Sequence, residues 1–278
     1  MSEQLARSSL DEDARRLKDP SVLYGTLAAD VVAGACTAGV TSPVVAVIDR
    51  SIIANFSGKQ SLIRGLGDGF YTLLTRPLVH IRQPSVLAVF TVYSLTYAAT
   101  NVTDTMSKRM SIDPAVPKLI ASSTTNTGLT IWKDSLLTRW FGQGTPRPVP
   151  MKSYACFGFR DSLTMAAAFT FPPMLSEVLQ GPTIGANKQT ADVACQLFLP
   201  CAFQFITTPV HLLGLDFYNR PNHKEAGGAA GRLRAVGKEY LPSTFARMGR
   251  ILPAFGIGGV LNKNVRSTAT SLFTSLGQ

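Results

Sequence analysis

The sequence predicts an all-α membrane protein in which six transmembrane helices form three tandem two-helix repeats with pseudo-threefold symmetry. Three observations favour this fold: a low charge content, six long apolar stretches, and a short motif that recurs at an even interval. Charged residues make up 16% of the 278-residue chain and hydrophobic residues 45%, whereas soluble domains carry about 25% charge. The chain therefore has little polar surface with which to coat a water-soluble globule.

Six apolar stretches are each long enough to cross the ~30 Å hydrocarbon core of a bilayer, allowing for tilt. They are Val22–Ile48, Pro84–Val102, Val116–Leu137, Phe157–Leu179, Ala191–Leu215 and Pro242–Val260. Polar residues inside them belong in a bundle interior or a wet cavity, because charge at membrane depth is costly. These residues are Asp30, Asn126, Arg160, Asp161, Gln196, Gln204, Arg247 and Arg250. We therefore expect the helices to surround a polar interior.

A triplet that begins with threonine recurs in the first, third and fifth stretches. Pro43, Asn126 and Pro209 end the three triplets and are spaced 83 residues apart in both intervals. Charged residues follow each triplet within about two turns of helix: Asp49 and Arg50, then Lys133 and Asp134, then Asp216. A fixed period is the signature of a repeat architecture. It predicts repeats at residues 21–103, 104–187 and 188–266, between a polar N-terminal tail (1–20) and a C-terminal tail (267–278).

The loops predict the topology. Those after the first, third and fifth stretches are long and basic and cover residues 51–83, 139–156 and 220–241, whereas those after the second and fourth are short. Loops rich in Lys and Arg stay on the side from which helices insert. Because the number of helices is even, we expect both termini to lie on one side, opposite the long basic loops.

This architecture resembles the mitochondrial carrier superfamily over nearly the whole chain. The resemblance implies a carrier in a mitochondrial membrane, the inner in preference to the outer. It also implies that the chain moves a small anionic or polar metabolite by alternating access. The pieces that carry it are Thr41-Ser42-Pro43 and Thr207-Thr208-Pro209 with the acids after them, the loop run from Gly65 to Tyr71, and the last stretch from Phe245 to Pro253.

The sequence departs from the carrier pattern at the gate. Carriers place an acid two residues after the signature proline and a base five residues after it. Here those positions hold Val45 and Ile48, Gly128 and Ile131, and His211 and Gly214, so none of the three acid–base pairs is present. A network displaced by about one turn is one explanation. The alternative is a non-transporting carrier-fold protein that acts as a scaffold or partner-binding surface.

The interior polar residues supply the candidate site. Guanidinium groups pair with anions, so the substrate contacts are predicted to be Arg160, Arg250, Gln196 and Gln204. The candidate gate and hinge residues are Pro43, Asp49, Arg50, Asn126, Lys133, Asp134, Pro209 and Asp216.

Several other residues have a structural interpretation beside a functional one. Arg247 is close enough to the start of its stretch to reach the membrane interface by snorkelling. His211 fits a packing role better than a proton switch. Asn101 and Asp104 either line the mouth of a cavity or cap a helix end. Small residues at Gly34 and Ala38 predict close packing of the first helix.

Other function classes find no support in the sequence. Three scattered histidines, His80, His211 and His223, form no catalytic set or metal cluster, so we expect neither an enzyme nor a cofactor. The cysteines Cys36, Cys156, Cys195 and Cys201 lack the spacing of a metal site. A net charge of +10 without a basic stripe or zinc-finger motif does not indicate a nucleic-acid partner. The expected partners are the lipid bilayer and a small anionic metabolite.

Overall fold

The computed structural model describes residues 10–167, 171–181, 187–222, 227–251 and 257–276. Its regular elements are α1 (residues 10–16), α2 (Pro20–Phe56), α3 (Leu62–Thr75), α4 (Pro77–Ile81), α5 (Pro84–Arg109), α6 (Ala115–Phe141), α7 (Met151–Met165), α8 (Phe171–Gln180), α9 (Lys188–Ala202), α10 (Gln204–Asn219), α11 (Gly228–Ile251) and α12 (Gly258–Leu276). No strand occurs within the described ranges, so the all-α prediction is confirmed for them.

Two of the described helices, α2 and α5, are long and apolar enough to cross a membrane. They contain the first two predicted stretches, and the uninterrupted helix α6 contains the third. The fourth stretch is shared by α7 and α8, and the sixth by α11 and α12; residues 168–170 and 252–256, which lie between these helices, fall outside the described ranges. The six-span arrangement, its threefold symmetry and the repeat boundaries stay predictions.

The fifth predicted stretch is interrupted at Phe203, between α9 and α10. At this junction the side-chain amide of Gln204 donates a hydrogen bond to the carbonyl oxygen of Pro200 at 2.9 Å. The backbone itself stays helical here, since Phe203 has φ −65° and ψ −15° and its amide donates to the carbonyl oxygen of Leu199 at 2.9 Å. The predicted stretch is therefore covered by two helices with a break of one residue between them.

Contacts divide the chain into two compact units. The first unit comprises Met1–Ser42, Val89–Asn126 and Ile257–Gln278, and the second comprises Pro43–Ala88 and Thr127–Gly256. Along the chain, the first boundary falls immediately before Pro43 and another immediately after Asn126. Both residues are among the candidate gate and hinge residues predicted from the sequence, and that role stays a prediction.

In the first unit, α2 and α5 pack at very short range around Gly34. A Cβ atom at Gly34 would lie 2.8 Å from the carbonyl oxygen of Ser94 and 2.9 Å from the amide nitrogen of Ala98. The two backbones are therefore closer than any side chain permits. Small residues serve this purpose in membrane helices, where dispersion contacts between close backbones drive association.

In the second unit, α10 packs against both α7 and α11. The apolar core of this unit consists of Ile48, Ile52, Ile53, Leu62, Leu137, Val149, Phe157, Leu212, Leu215, Tyr218 and Val236. The helix α3 packs closely against α2. A Cβ atom at Gly69 of α3 would lie only 2.5 Å from the Cγ1 atom of Val47 in α2. Further along, Nε2 of His80 lies 3.1 Å from the carbonyl oxygen of Pro43.

The contact at Gly34 generates a stability prediction. Gly34→Ala lowers the free energy of unfolding by about 1–3 kcal/mol, because overpacking against backbone atoms cannot be relieved by a rotamer change. Thermal unfolding of the detergent-solubilised protein, followed by the fluorescence of Trp132 and Trp140, measures the loss. The matched control is Gly39→Ala in the same helix, where a Cβ meets nothing within 4 Å. We expect the control to unfold at the same temperature as wild type or at a higher one, since Ala favours helix more than Gly does. Equal losses of stability in both variants would contradict this packing.

Candidate functional site

The first unit contains a cavity of about 540 Å³ with a polar and charged lining. This volume lies within the roughly 300–1,000 Å³ typical of small-molecule sites. The lining combines both signs of charge with amide and hydroxyl groups: Asp13, Arg16, Asp104, Lys108, Lys118, Lys263 and Arg266 with Asn101, Asn262, Thr100, Thr105 and Thr270. Asn101 and Asp104 thus lie at a cavity, the first of the two roles that the sequence left open.

Arg266 on α12 organises the floor of this cavity. Its Nε donates to Asp30 Oδ1 at 2.6 Å and its Nη1 to Asp104 Oδ2 at 2.8 Å. Its Nη2 donates to the carbonyl oxygen of Asn101 at 3.1 Å and to Thr105 Oγ1 at 2.9 Å. Asp30 is fully buried and also accepts a hydrogen bond from Thr105 Oγ1 at 2.6 Å. One guanidinium therefore ties α12 to α2 and α5.

Asp104 is the junction between this floor and the lysines of the cavity wall. Lys118 Nζ lies 2.9 Å from Asp104 Oδ1, and Lys108 Nζ lies 3.6 Å from Asp104 Oδ2 and 3.4 Å from Asp13 Oδ2. Beside them, the side-chain amides of Asn101 and Asn262 form a reciprocal pair at 3.0 Å in each direction. The wall thus presents a carboxylate, ammonium groups and neutral amides together.

The second unit contains a buried cluster of ion pairs, here called the charge cluster: Asp49, Lys133, Asp134, Arg160, Asp161 and Arg250. Lys133 binds Asp49 in a short ion pair and lies 2.9 Å from Asp134 Oδ1. Arg160 binds Asp134 in another short pair and lies 3.1 Å from Asp161 Oδ1. Arg250 Nη1 lies 2.7 Å from Asp49 Oδ1. The cluster joins α2, α6, α7 and α11.

Three of the eight predicted gate and hinge residues belong to the charge cluster, and the other five lie elsewhere. Asp49, Lys133 and Asp134 are members of it, so acids and bases one turn beyond the carrier positions do meet. Arg50 instead donates to Gln83 Oε1 at 3.0 Å and stacks over the ring of Phe141. Asp216 forms a separate buried group with Arg220 and Arg232. Pro43 and Pro209 lie inside the helices α2 and α10, and Asn126 lies inside α6.

The predicted substrate contacts are distributed over two neighbouring environments. Arg160 and Arg250 belong to the charge cluster. Gln204 is buried and its Oε1 accepts a hydrogen bond from Arg247 Nε at 3.0 Å. Gln196 lies in α9, and its side chain is outside what the structure describes. Arg247 itself is 1% exposed, so it does not reach the interface as the sequence suggested.

His211 takes the packing role. It is buried, its ring lies 5.4 Å from that of Phe157, and its Nδ1 is 3.9 Å from Asp134 Oδ2. That distance is too long for a hydrogen bond.

Sequence reasoning missed Arg266 and Lys118 as site residues. A fully buried Asp30 demands a cationic partner, and this signal was present in the sequence. Which cation supplies it was not, because Arg266 lies 236 positions away in the chain and beyond the last predicted apolar stretch. Only the packing of α12 brings the two together.

A protein-family model described as a probable citrulline exporter matches residues 33–270 of this chain. Among curated proteins and among solved structures, none matches significantly. The family match includes α5 and α6 entirely, most of α2, and the charge cluster.

The resemblance to the mitochondrial carrier superfamily was wrong, because the matching family model is that of the exporters and no carrier model matches. The missing acid–base pairs after Pro43, Asn126 and Pro209 were the physical sign of this. Prolines late in a helix, such as Pro43 and Pro209, occur in many membrane bundles as kinks, whereas gate charges at fixed offsets are specific to carriers. The family supports a place in a membrane but gives no support to a mitochondrial one.

The charge cluster generates a second stability prediction. Lys133→Met lowers the free energy of unfolding by about 3–5 kcal/mol, because it leaves the buried carboxylates of Asp49 and Asp134 without a shared cation. Thermal unfolding in detergent measures it. The matched control is Lys238→Met, since Lys238 has a side chain 81% exposed and lies 3.9 Å from Glu239. Surface pairs contribute about 0–1 kcal/mol, and a loss at Lys133 no greater than that at Lys238 would contradict the cluster.

Proposed function

We propose that this chain, which belongs to the probable citrulline exporter family, exports a small zwitterionic amino acid of the citrulline class. Membership of an exporter family makes the chain a membrane transporter of a small metabolite and not an enzyme. The finer assignment, to an amino acid with separated positive and negative groups and a neutral polar side chain, is supported by the chemistry of the cavity in the first unit.

The observation that carries the proposal is the meeting of Asp104 and Lys118 on the wall of one cavity of about 540 Å³. A zwitterionic amino acid presents an ammonium and a carboxylate a few ångströms apart. Asp104 and Asp13 offer acceptors for the ammonium, and charge-assisted hydrogen bonds of this kind are the strong ones. Lys118 and Lys263 offer donors for the carboxylate.

The neutral end of the substrate also finds partners in this cavity. A ureido group has one carbonyl acceptor and several N–H donors, so it suits side-chain amides, which carry both. Asn101 and Asn262, which bond to each other at 3.0 Å, are the amides on the wall. A dicarboxylate of similar size would place its second negative charge beside these neutral amides, so we expect it to bind more weakly.

We assign the charge cluster to the gate of this exporter. In alternating access, a barrier must be stable when closed and must dissociate when the substrate moves, and ion pairs between helices meet both needs. Asp49, Lys133, Asp134, Arg160 and Arg250 come from four different helices, so the cluster opens only if those helices separate. The unit boundaries beside Pro43 and Asn126 support the assignment of these two residues as hinges.

The experiment is efflux from proteoliposomes that contain the purified protein. Vesicles loaded with labelled citrulline are compared with vesicles loaded with arginine, ornithine, glutamate or malate. The proposal expects the highest initial rate for citrulline and a low rate for the two dicarboxylates. The proposal fails if malate or glutamate leaves fastest. It also fails if no compound of the panel leaves faster than it does from loaded vesicles that lack the protein.

Lys118→Met tests the cavity itself. A charge-assisted hydrogen bond contributes about 1.5–3 kcal/mol, so the variant weakens citrulline binding roughly ten- to hundredfold, seen as a higher KM in the same efflux assay. Lys18→Met is the matched control, because Lys18 is exposed and does not line the cavity. A variant that folds as wild type does and transports with an unchanged KM would place the substrate elsewhere.

A further inference from the structure

Arg247 is a buried cation without an acidic partner within the described part of the chain. Its side chain is 1% exposed, and its Nε donates to the neutral amide oxygen of Gln204 at 3.0 Å. Its Nη2 is buried and forms no hydrogen bond. Burial of an unpaired charge is among the costliest arrangements in a protein interior. A buried guanidinium of this kind therefore needs a negative charge or additional hydrogen-bond acceptors beside it.

The surrounding charges do not supply that compensation. In the charge cluster three carboxylates (Asp49, Asp134, Asp161) face three cations (Lys133, Arg160, Arg250), so the cluster balances itself. Arg247 adds one positive charge beyond this balance. Among the neighbouring charges, Arg250 and Arg160 repel Arg247, whereas the carboxylates of Asp49 and Asp134, which are already paired within the cluster, attract it. The region lacks one negative charge.

Unsatisfied donors lie on the same three packed helices. Arg160 Nη1 on α7, Thr208 Oγ1 on α10 and Ser243 Oγ on α11 are all buried without a hydrogen-bond partner. Thr208 follows Gln204 by four residues, and Ser243 precedes Arg247 by four, so each pair shares one helix face. The helix α10 packs against both α7 and α11. A partner that accepts hydrogen bonds and donates none, such as an anion, would satisfy these guanidinium and hydroxyl groups.

We propose that Arg247 binds a small carboxylate between α10 and α11. The planar guanidinium fork matches the two oxygens of a carboxylate, and one monovalent anion restores neutrality. The carboxylate has two sources: a free small carboxylate, or the carboxylate of the transported amino acid. Only the second source rests on the proposed function.

The test is thermal unfolding of the purified protein in detergent, followed by tryptophan fluorescence, and it needs no transport. Sodium formate is titrated against sodium chloride at constant ionic strength, and citrulline against citrulline amide, which lacks the carboxylate. A free-carboxylate site gives a saturable rise of about 2–4 °C with formate over chloride. A site reserved for the substrate gives the rise with citrulline but not with formate or the amide.

Two variants separate a binding role from a packing role. Arg247→Met removes the excess charge and keeps the volume, so it unfolds at an equal or higher temperature than wild type in chloride and loses the carboxylate-dependent rise. Arg234→Met, an exposed change on the same helix, retains that rise. If neither carboxylate raises the unfolding temperature of wild type, or if the rise persists in Arg247→Met, the proposal is overturned.

Discussion

Buried charge is the constraint on which the packing of both units depends. A carboxylate such as Asp30 or Asp216, each 0% exposed, is tolerated in a helix bundle only when cations and hydrogen-bond donors surround it. In the first unit Arg266 meets this need for Asp30, and in doing so it fixes the register of α12 against α2 and α5. In the second unit Arg220 and Arg232 meet it for Asp216. Any other packing of the helices that left one of these acids without a cation would have a much higher free energy.

The sequence predicted those parts of the fold that depend on local composition. The apolar stretches at Val22–Ile48, Pro84–Val102 and Val116–Leu137 each lie within one continuous helix, because long apolar runs have no other stable conformation in a membrane. Gly34 with Ala38 indicated close helix packing, and Gly34 does meet the backbone of α5. Charges about two turns beyond Pro43 and Asn126 suggested a displaced network as one explanation, and Asp49 and Lys133 do bind each other; their role in a gate stays a prediction.

What the sequence could not supply were pairings set by tertiary packing. The break of one residue at Phe203 is one example, since neither composition nor period reveals it. Arg266 was missed because its partners, Asp30 and Asp104, are more than 160 positions away. The family itself was misjudged because a regular spacing of kinks was weighed more heavily than the absence of three gate pairs.

We propose that the cavity of this exporter-family protein, whose lining carries both signs of charge, recognises the ammonium and the carboxylate of one substrate. Equilibrium binding of labelled citrulline to the purified protein, with competitors that lack one charged group, tests this claim most directly. We expect displacement by unlabelled citrulline and other neutral amino acids, and little displacement by N-acetylcitrulline, citrulline amide or malate. Displacement by N-acetylcitrulline or malate as strong as that by citrulline would contradict it.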